Sequence, residues 1–150
     1  MLWAVSQFWR TAFRLQYRLL AIGDPLIRRF WRHFGIGNVI DFEVARRDGR
    51  GSRSRLLGLL RVADRWYLGH PNGPVGWTRD LLAAGEGTIH WPGRGGDGGT
   101  TKLRAKLLPP GAEREAAILA TGQHPFPGNI VYRLGRRHVR AVGVFFRLER

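Results

Sequence analysis

The sequence predicts an α+β fold: two N-terminal helices, then a small barrel of mainly antiparallel strands with two short helices inserted. Three observations lead there. Apolar residues recur at helical spacing through residue 34, with arginines on the opposite face. From residue 39 the texture changes to strand-like alternation. Only two later stretches are helical, so the regular strand-helix alternation of a doubly wound parallel sheet is missing.

The first helix spans "MLWAVSQFWRTAFRLQYRLLAIG" and is expected to stop near Gly23, a good residue just past a helix end. Asp24-Pro25 then restarts a helix, Asp as N-cap and Pro as first helical residue. The second helix, "PLIRRFWRHF", ends at Gly35 and Gly37. Arg10, Arg14 and Arg18 interrupt any run of about 20 apolar residues needed to span a bilayer. No basic segment precedes a clean apolar core, so no signal peptide is expected. An aromatic face against an arginine face suits an interfacial helix, and it equally suits an amphipathic helix packed on its own domain.

"VIDFEVA" (39–45), "RLLGLLRVA" (55–63) and "RWYLG" (65–69) read as strands, the last two joined through Ala63-Asp64. "WTRDLLAAG" is a short helix ending at Gly85. "GTIHW" and "TTKLRAKLL" are strands joined by the glycine loop "PGRGGDGGT". Pro109-Pro110 breaks the chain, "AEREAAILATG" is helical with acids in its first turn, and "VRAVGVFFRL" is the closing strand. Residues 1–37 form a helical N-terminal segment and 38–150 the barrel.

The formal charge of +14 favours anionic partners. No nucleic-acid motif accompanies it, so a basic nucleic-acid-binding domain ranks third and no specific nucleic acid is expected. Cysteine is absent and the five histidines lack ligand spacing, so no metal site is expected. No nucleophile-base pair stands out among Ser6, Ser52 and Ser54, and the acids Asp41, Glu43, Asp48, Asp64, Asp80, Glu86 and Asp97 form no evident pair. An enzyme of this composition would leave the hard step to a cofactor.

Three segments look like parts of a cofactor site. "RRDGRGSRSR" (46–55) holds five arginines. Its glycines let the backbone turn, while Arg50, Arg53 and Arg55 supply fork-shaped donors and Ser52 a hydroxyl. The alternative is a solvated basic turn. "GHPNGPVGWTRDLLAAG" ends a strand and opens a helix near Trp77, where an anion or ring edge fits. Trp77 suits a ring wall, or more simply a pin holding that helix to the barrel. "GQHPFPGNIVYRLGRR" is expected as an irregular loop carrying His124, Phe126 and Tyr132, either a pocket wall or a plain crossover.

In this order the segments resemble the deazaflavin (coenzyme F-420)-dependent nitroreductase and quinone reductase family of actinobacteria, over roughly residues 20 to 150. The family's first motif is approximately T-x-G-R-K-S/T-G-x-x-R. Gly49, Arg50, Ser52 and Arg55 match it in kind, Gly51 stands in place of the Lys, and the arginine spacing is one residue shorter. The second motif is a glycine-rich turn followed by W-Y-x-N-L. Gly73, Trp77 and Leu81 match, with Asp80 in place of the Asn.

The resemblance implies a split β-barrel and an oxidoreductase passing hydride from reduced deazaflavin to a quinone or nitro acceptor. FMN is the weaker cofactor candidate. The resemblance implies that Arg50, Gly51, Ser52, Arg53 and Arg55 grip the anionic tail. The ring would lie near Leu56, beside His70, Asn72, Gly73, Gly76 and Trp77, with Tyr132 or His124 hydrogen-bonding the acceptor. The expected location is the cytoplasm, with the N-terminal helices suited to the inner face of the membrane. The alternative function is a non-enzymatic split barrel holding a lipid, a flavin or haem.

Overall fold

The computed structural model describes residues 2–93 and 98–150. Residues 2–34 form one helix, α1 (Leu2–Phe34), which continues through Gly23 and Pro25. The expected break is absent. An interior proline loses a backbone bond and crowds the preceding turn, a cost of about 3 kcal/mol. Side chains around Pro25 hold the two halves together. Asp24 accepts from Arg28 Nε at 2.8 Å, and Arg28 Nη1 continues to Asp41 at 2.9 Å. One turn on, Trp31 Nε1 donates to the Val39 carbonyl at 2.7 Å. These partners tie the post-proline half to the barrel, and local sequence signals do not reveal them.

The strands are β1 (Val39–Ala45), β2 (Ser52–Gly58), β3 (Leu60–Val62), β4 (Arg65–His70), β5 (Glu86–His90), β6 (Thr100–Leu107) and β7 (Val144–Glu149). They form a seven-stranded sheet in the order β2-β1-β5-β6-β7-β4-β3, with every pair antiparallel. The terminal strands of that order, β2 and β3, are consecutive in the chain and separated only by Leu59. One bent segment therefore serves both ends of the sheet and curls it into a barrel. The single strand expected over 55–63 is divided by this bend. Asn38 clamps it: the Leu59 N–H donates to the Asn38 carbonyl at 2.9 Å, and Asn38 Nδ2 donates to the Leu59 carbonyl at 3.0 Å. Gly58 is required at the bend, because a Cβ there would overlap the His124 ring. The middle of the glycine loop between β5 and β6, residues 94–97, lies outside the described residues.

Inside the barrel, Ile40, Phe42 and Val44 alternate inward along β1 and meet Leu57, Leu68, Ile89 and Phe146. Helix α2 (Gly76–Ala84) adds Trp77 and Leu81 to this core. Its first turn is fixed by Thr78, whose hydroxyl accepts the Val75 N–H at 2.8 Å.

A second core lies between the sheet and the other helices. It joins Phe13 of α1 to Tyr67, Ile118, Tyr132, Val139 and Phe145. Ile118 belongs to α3 (Ala112–Leu119), which a 3-10 turn (Ala120–Gln123) follows.

Two further helices, α4 (Gly128–Leu134) and α5 (Arg136–Val142), stand where an irregular loop and the start of the closing strand were expected. The Val142, Val144, Phe146 spacing imitates a strand. Arg114 on α3 supplies a helix end from a distance: its Nη2 donates to the carbonyls of Arg140 at 3.1 Å and Gly143 at 2.8 Å.

Because Phe13 is 0% exposed and packs with Tyr67 and Phe145, α1 shares a core with the sheet. Phe13→Ala is expected to cost roughly 3–5 kcal/mol, the range for emptying a buried aromatic site. Leu19→Ala, on the exposed face of the same helix, should shift stability by no more than about 1 kcal/mol. Urea denaturation of both variants checks this, and equal losses would remove α1 from the core.

Candidate functional site

The arginine-rich stretch forms the β1–β2 turn. The Arg46 N–H donates to the Gly51 carbonyl at 2.9 Å and the Gly49 N–H to the Arg46 carbonyl at 3.2 Å. Gly49 and Gly51 take φ values of 74° and 83°, which glycine adopts without strain. Asp48 Oδ1 accepts the Arg50 N–H at 2.9 Å.

Asp80 of α2 is the turn's anchor and is 2% exposed. Arg47 Nε donates to its Oδ1 at 2.8 Å, and Arg53 Nε lies 3.4 Å from its Oδ2 without hydrogen-bond alignment. Burial pushes the Asp80 carboxyl up. The Arg47 hydrogen bonds and the charges of Arg53 and Arg47 outweigh this and hold it below its ordinary value. The Arg53 guanidinium lies against Gly76, where a Cβ would overlap it. Arg53 is thus turned toward α2, while Arg50, Gly51, Ser52 and Arg55 are exposed. Leu56 is half-buried and pairs across the ladder with Asp41.

The His70–Gly73 turn faces α1 and α5. Tyr17 stacks on His70 at 4.9 Å, and Trp77 meets it edge-on at 6.3 Å. His70 Nδ1 accepts the Asn72 N–H at 3.2 Å. Asn72 Nδ2 donates to the Arg10 carbonyl at 2.9 Å, and Asn72 Oδ1 lies 2.9 Å from His138 Nε2. Gly73 (φ 85°) is buried with its α-carbon facing the Val142 carbonyl. Trp77 lies in the barrel core beside Phe146.

His124 and Tyr132 are neighbours, with ring centroids 4.9 Å apart. Asn38 Nδ2 reaches His124 Nδ1 at 3.5 Å. The Tyr132 and Tyr17 hydroxyls lie 3.2 Å apart. Tyr17 therefore joins two predicted groups into one line under α1: His124, Tyr132, Tyr17, His70, Asn72, His138. Sequence reasoning missed Tyr17. Its signal was its place one turn after Phe13, on the face that also carries Ser6.

Burial pushes His70 down to about 4, against a smaller opposing effect of its Gly73 backbone bond. Burial also pushes His124 down to about 4. Tyr132 is raised by burial and by the neighbouring Tyr17, and Tyr17 is raised by burial. At neutral pH this line consists of neutral imidazoles and protonated phenols. It can hydrogen-bond and stack, but it presents no charge to an anion.

A cleft of about 340 Å³ opens on the other side of β2, between the end of α1 and the outer face of β1 and β5. Trp31 and Trp91 line it, with Arg32, Asp41, Ser54 and His90. Asp41 Oδ2 takes Arg28, and its Oδ1 has no partner among the described residues. Sequence reasoning did not single out this cleft, because its residues come from four separate segments.

No protein-family model matches the chain, and no curated protein does. Solved structures do match. HutZ, the heme storage protein from Vibrio cholerae, is 13% identical with a TM-score of 0.54, the match covering 83% of this chain and 87% of that one. A protein from Listeria innocua assigned as a pyridoxamine 5'-phosphate oxidase is 10% identical, covering 85% of this chain and 91% of its own, with a TM-score of 0.49. An F420 reductase is 10% identical, covering 81% and 90%, with a TM-score of 0.42. At 13% identity the likeness to HutZ is one of fold, and the fold is a split β-barrel.

The two histidines make stability depend on pH. An unfolded histidine takes a proton near pH 6.5, whereas His70 and His124 resist it until about 4. The unfolded chain thus binds more protons between those values. The stabilisation is complete above pH 6.5 and is lost as pH falls toward 4, by roughly 3 kcal/mol per ring at most. Urea midpoints should fall from pH 7 to pH 5. Substituting His124→Asn should flatten that slope, and an unchanged slope would place the His124 ring in solvent.

Proposed function

We propose that the chain binds a flavin-type cofactor, deazaflavin in first place and FMN second, and passes a hydride to a quinone or nitro acceptor. The observation that carries this reading is the β1–β2 turn and the start of β2, where Arg50, Ser52 and Arg55 are exposed beside a turn pinned by Asp80. Exposed guanidinium forks on a held backbone suit a phosphodiester and a carboxylate tail. The two motif matches and the split barrel support the same reading.

The tail end of such a cofactor fits these residues. The ring end does not fit at His70–Gly73, because Tyr17 and Arg10 of α1 occupy that ground. The cleft beyond β2 suits it better. Half-buried Trp91 stands at its wall, and Asp41 Oδ1 is a carboxylate oxygen without a partner among the described residues, suited to a ring N–H. β2 pairs only with β1 among the described residues, with Ser54 lining the cleft and Arg55 on the opposite face. The cofactor would cross that free edge. A reduced deazaflavin supplies the hydride. The chain's residues supply binding, alignment and exclusion of water.

Fluorescence titration with the oxidised deazaflavin tests the reading, with FMN and haem in parallel. Tight binding that weakens with salt is expected. Losing one charge-assisted bond costs roughly 1.5–3 kcal/mol, about tenfold to a hundredfold in affinity. An Arg50→Ala, Arg55→Ala double variant that binds as well as the wild type would remove the turn from the site. Binding of haem alone would favour the non-enzymatic alternative.

A further inference from the structure

We infer that the outward face of α1 is a docking surface for an anionic lipid bilayer, on which the helix lies flat. This rests on α1 itself and is independent of the cofactor reading. Helix α1 is 33 residues long, so at about 1.5 Å per residue it is a rod of about 50 Å. Its barrel-facing side carries Phe13, Tyr17 and Trp31. A second side carries Phe8 and then, seven residues on, Leu15, Leu19, Ile22, Leu26 and Phe30 in steps of three and four. All six are exposed, Ile22 at 80% and Leu26 at 76%. This stripe runs past Pro25, which it does only because the helix is unbroken there. A soluble surface scatters such residues, whereas a contiguous stripe marks a surface that docks.

Charge decides the occupant. Arg14, Arg18, Arg29 and Arg32 are exposed along the flank of the stripe. The helix has one acid, Asp24, and Arg28 occupies it. The same three-and-four spacing pairs helices in coiled coils, but pairing uses opposite charges on the flanks. A second copy would bring two arginine rows together in a chain of formal charge +14. An anionic headgroup layer meets both features at once: acyl chains take the apolar stripe and headgroups take the guanidinium row. No described helix is long and apolar enough to cross the membrane. The helix therefore lies on the surface.

The test is co-sedimentation of the full chain with vesicles of phosphatidylcholine, alone or containing phosphatidylglycerol. Binding to the anionic vesicles is expected, and much weaker binding to phosphatidylcholine alone. Replacing Phe8, Leu15, Leu19 and Leu26 together by Gln keeps helix propensity and replaces no buried residue. That variant should keep its circular dichroism spectrum and lose the vesicles. Replacing Arg14, Arg18 and Arg29 by Gln should weaken binding roughly fivefold per arginine. The inference fails if the wild type ignores anionic vesicles or if the Gln variants bind unchanged. It also fails if sedimentation without lipid shows a dimer that the apolar variant abolishes while no vesicle binding occurs. The stripe would then be an interface between two copies.

Discussion

The bend at Gly58 and Leu59 is the constraint on which the rest of the molecule depends. β2 and β3 share one chain segment but stand at opposite ends of the strand order, so the sheet can close only if that segment turns sharply. Asn38 satisfies the backbone there from both directions, which a strand ladder does not do at a corner. The missing side chain at Gly58 leaves the space that His124 fills. From His124 the packing passes to Tyr132, from Tyr132 to Tyr17, and so to α1. The barrel's closure and the seating of the long helix are therefore one arrangement.

That arrangement explains why a mostly apolar interface contains so many polar groups. Apolar contact alone would let a helix of this length slide by a turn. The Tyr17–Tyr132 pair and the exchange between Arg10 and Asn72 each have one matching position. A slip would leave buried donors and acceptors unpaired, at about 1–3 kcal/mol each. The neutral histidines fit the same scheme, since a charged ring in that line would lack a counter-ion among its neighbours. The polar line sets the register of α1, and the apolar contacts of Phe13 and Trp31 hold it.

Local pattern revealed what local pattern determines. The alternation of Ile40, Phe42 and Val44 gave β1 its inward face, and the turn before Trp77 gave the start of α2. Where a distant partner decides, sequence reading diverged from the structure. Pro25 signals a restart, but Arg28 and Asp41 carry the helix past it. Val139 to Phe146 reads as a strand, but Arg114 ends a helix within it. The candidate site divided along the same line. The arginine turn was legible because its residues are contiguous. The cleft between Trp31 and Trp91 was not, because it exists only once α1 docks on β1 and β5.

Asp80 shows how a single buried charge changes the physics of a turn. An Asn there would offer hydrogen bonds without charge. The buried carboxylate draws Arg47 and Arg53 inward, so part of the positive charge of the stretch is met within the chain. Fewer arginines remain for an external anion, but they stand on a backbone already held in place. A loop that must order itself on binding spends interaction energy on that ordering. Anchoring by Asp80 removes part of that cost from Arg50 and Arg55. The exchange of charge for order leaves Arg50 and Arg55 exposed beside a backbone that Asp80 holds in place.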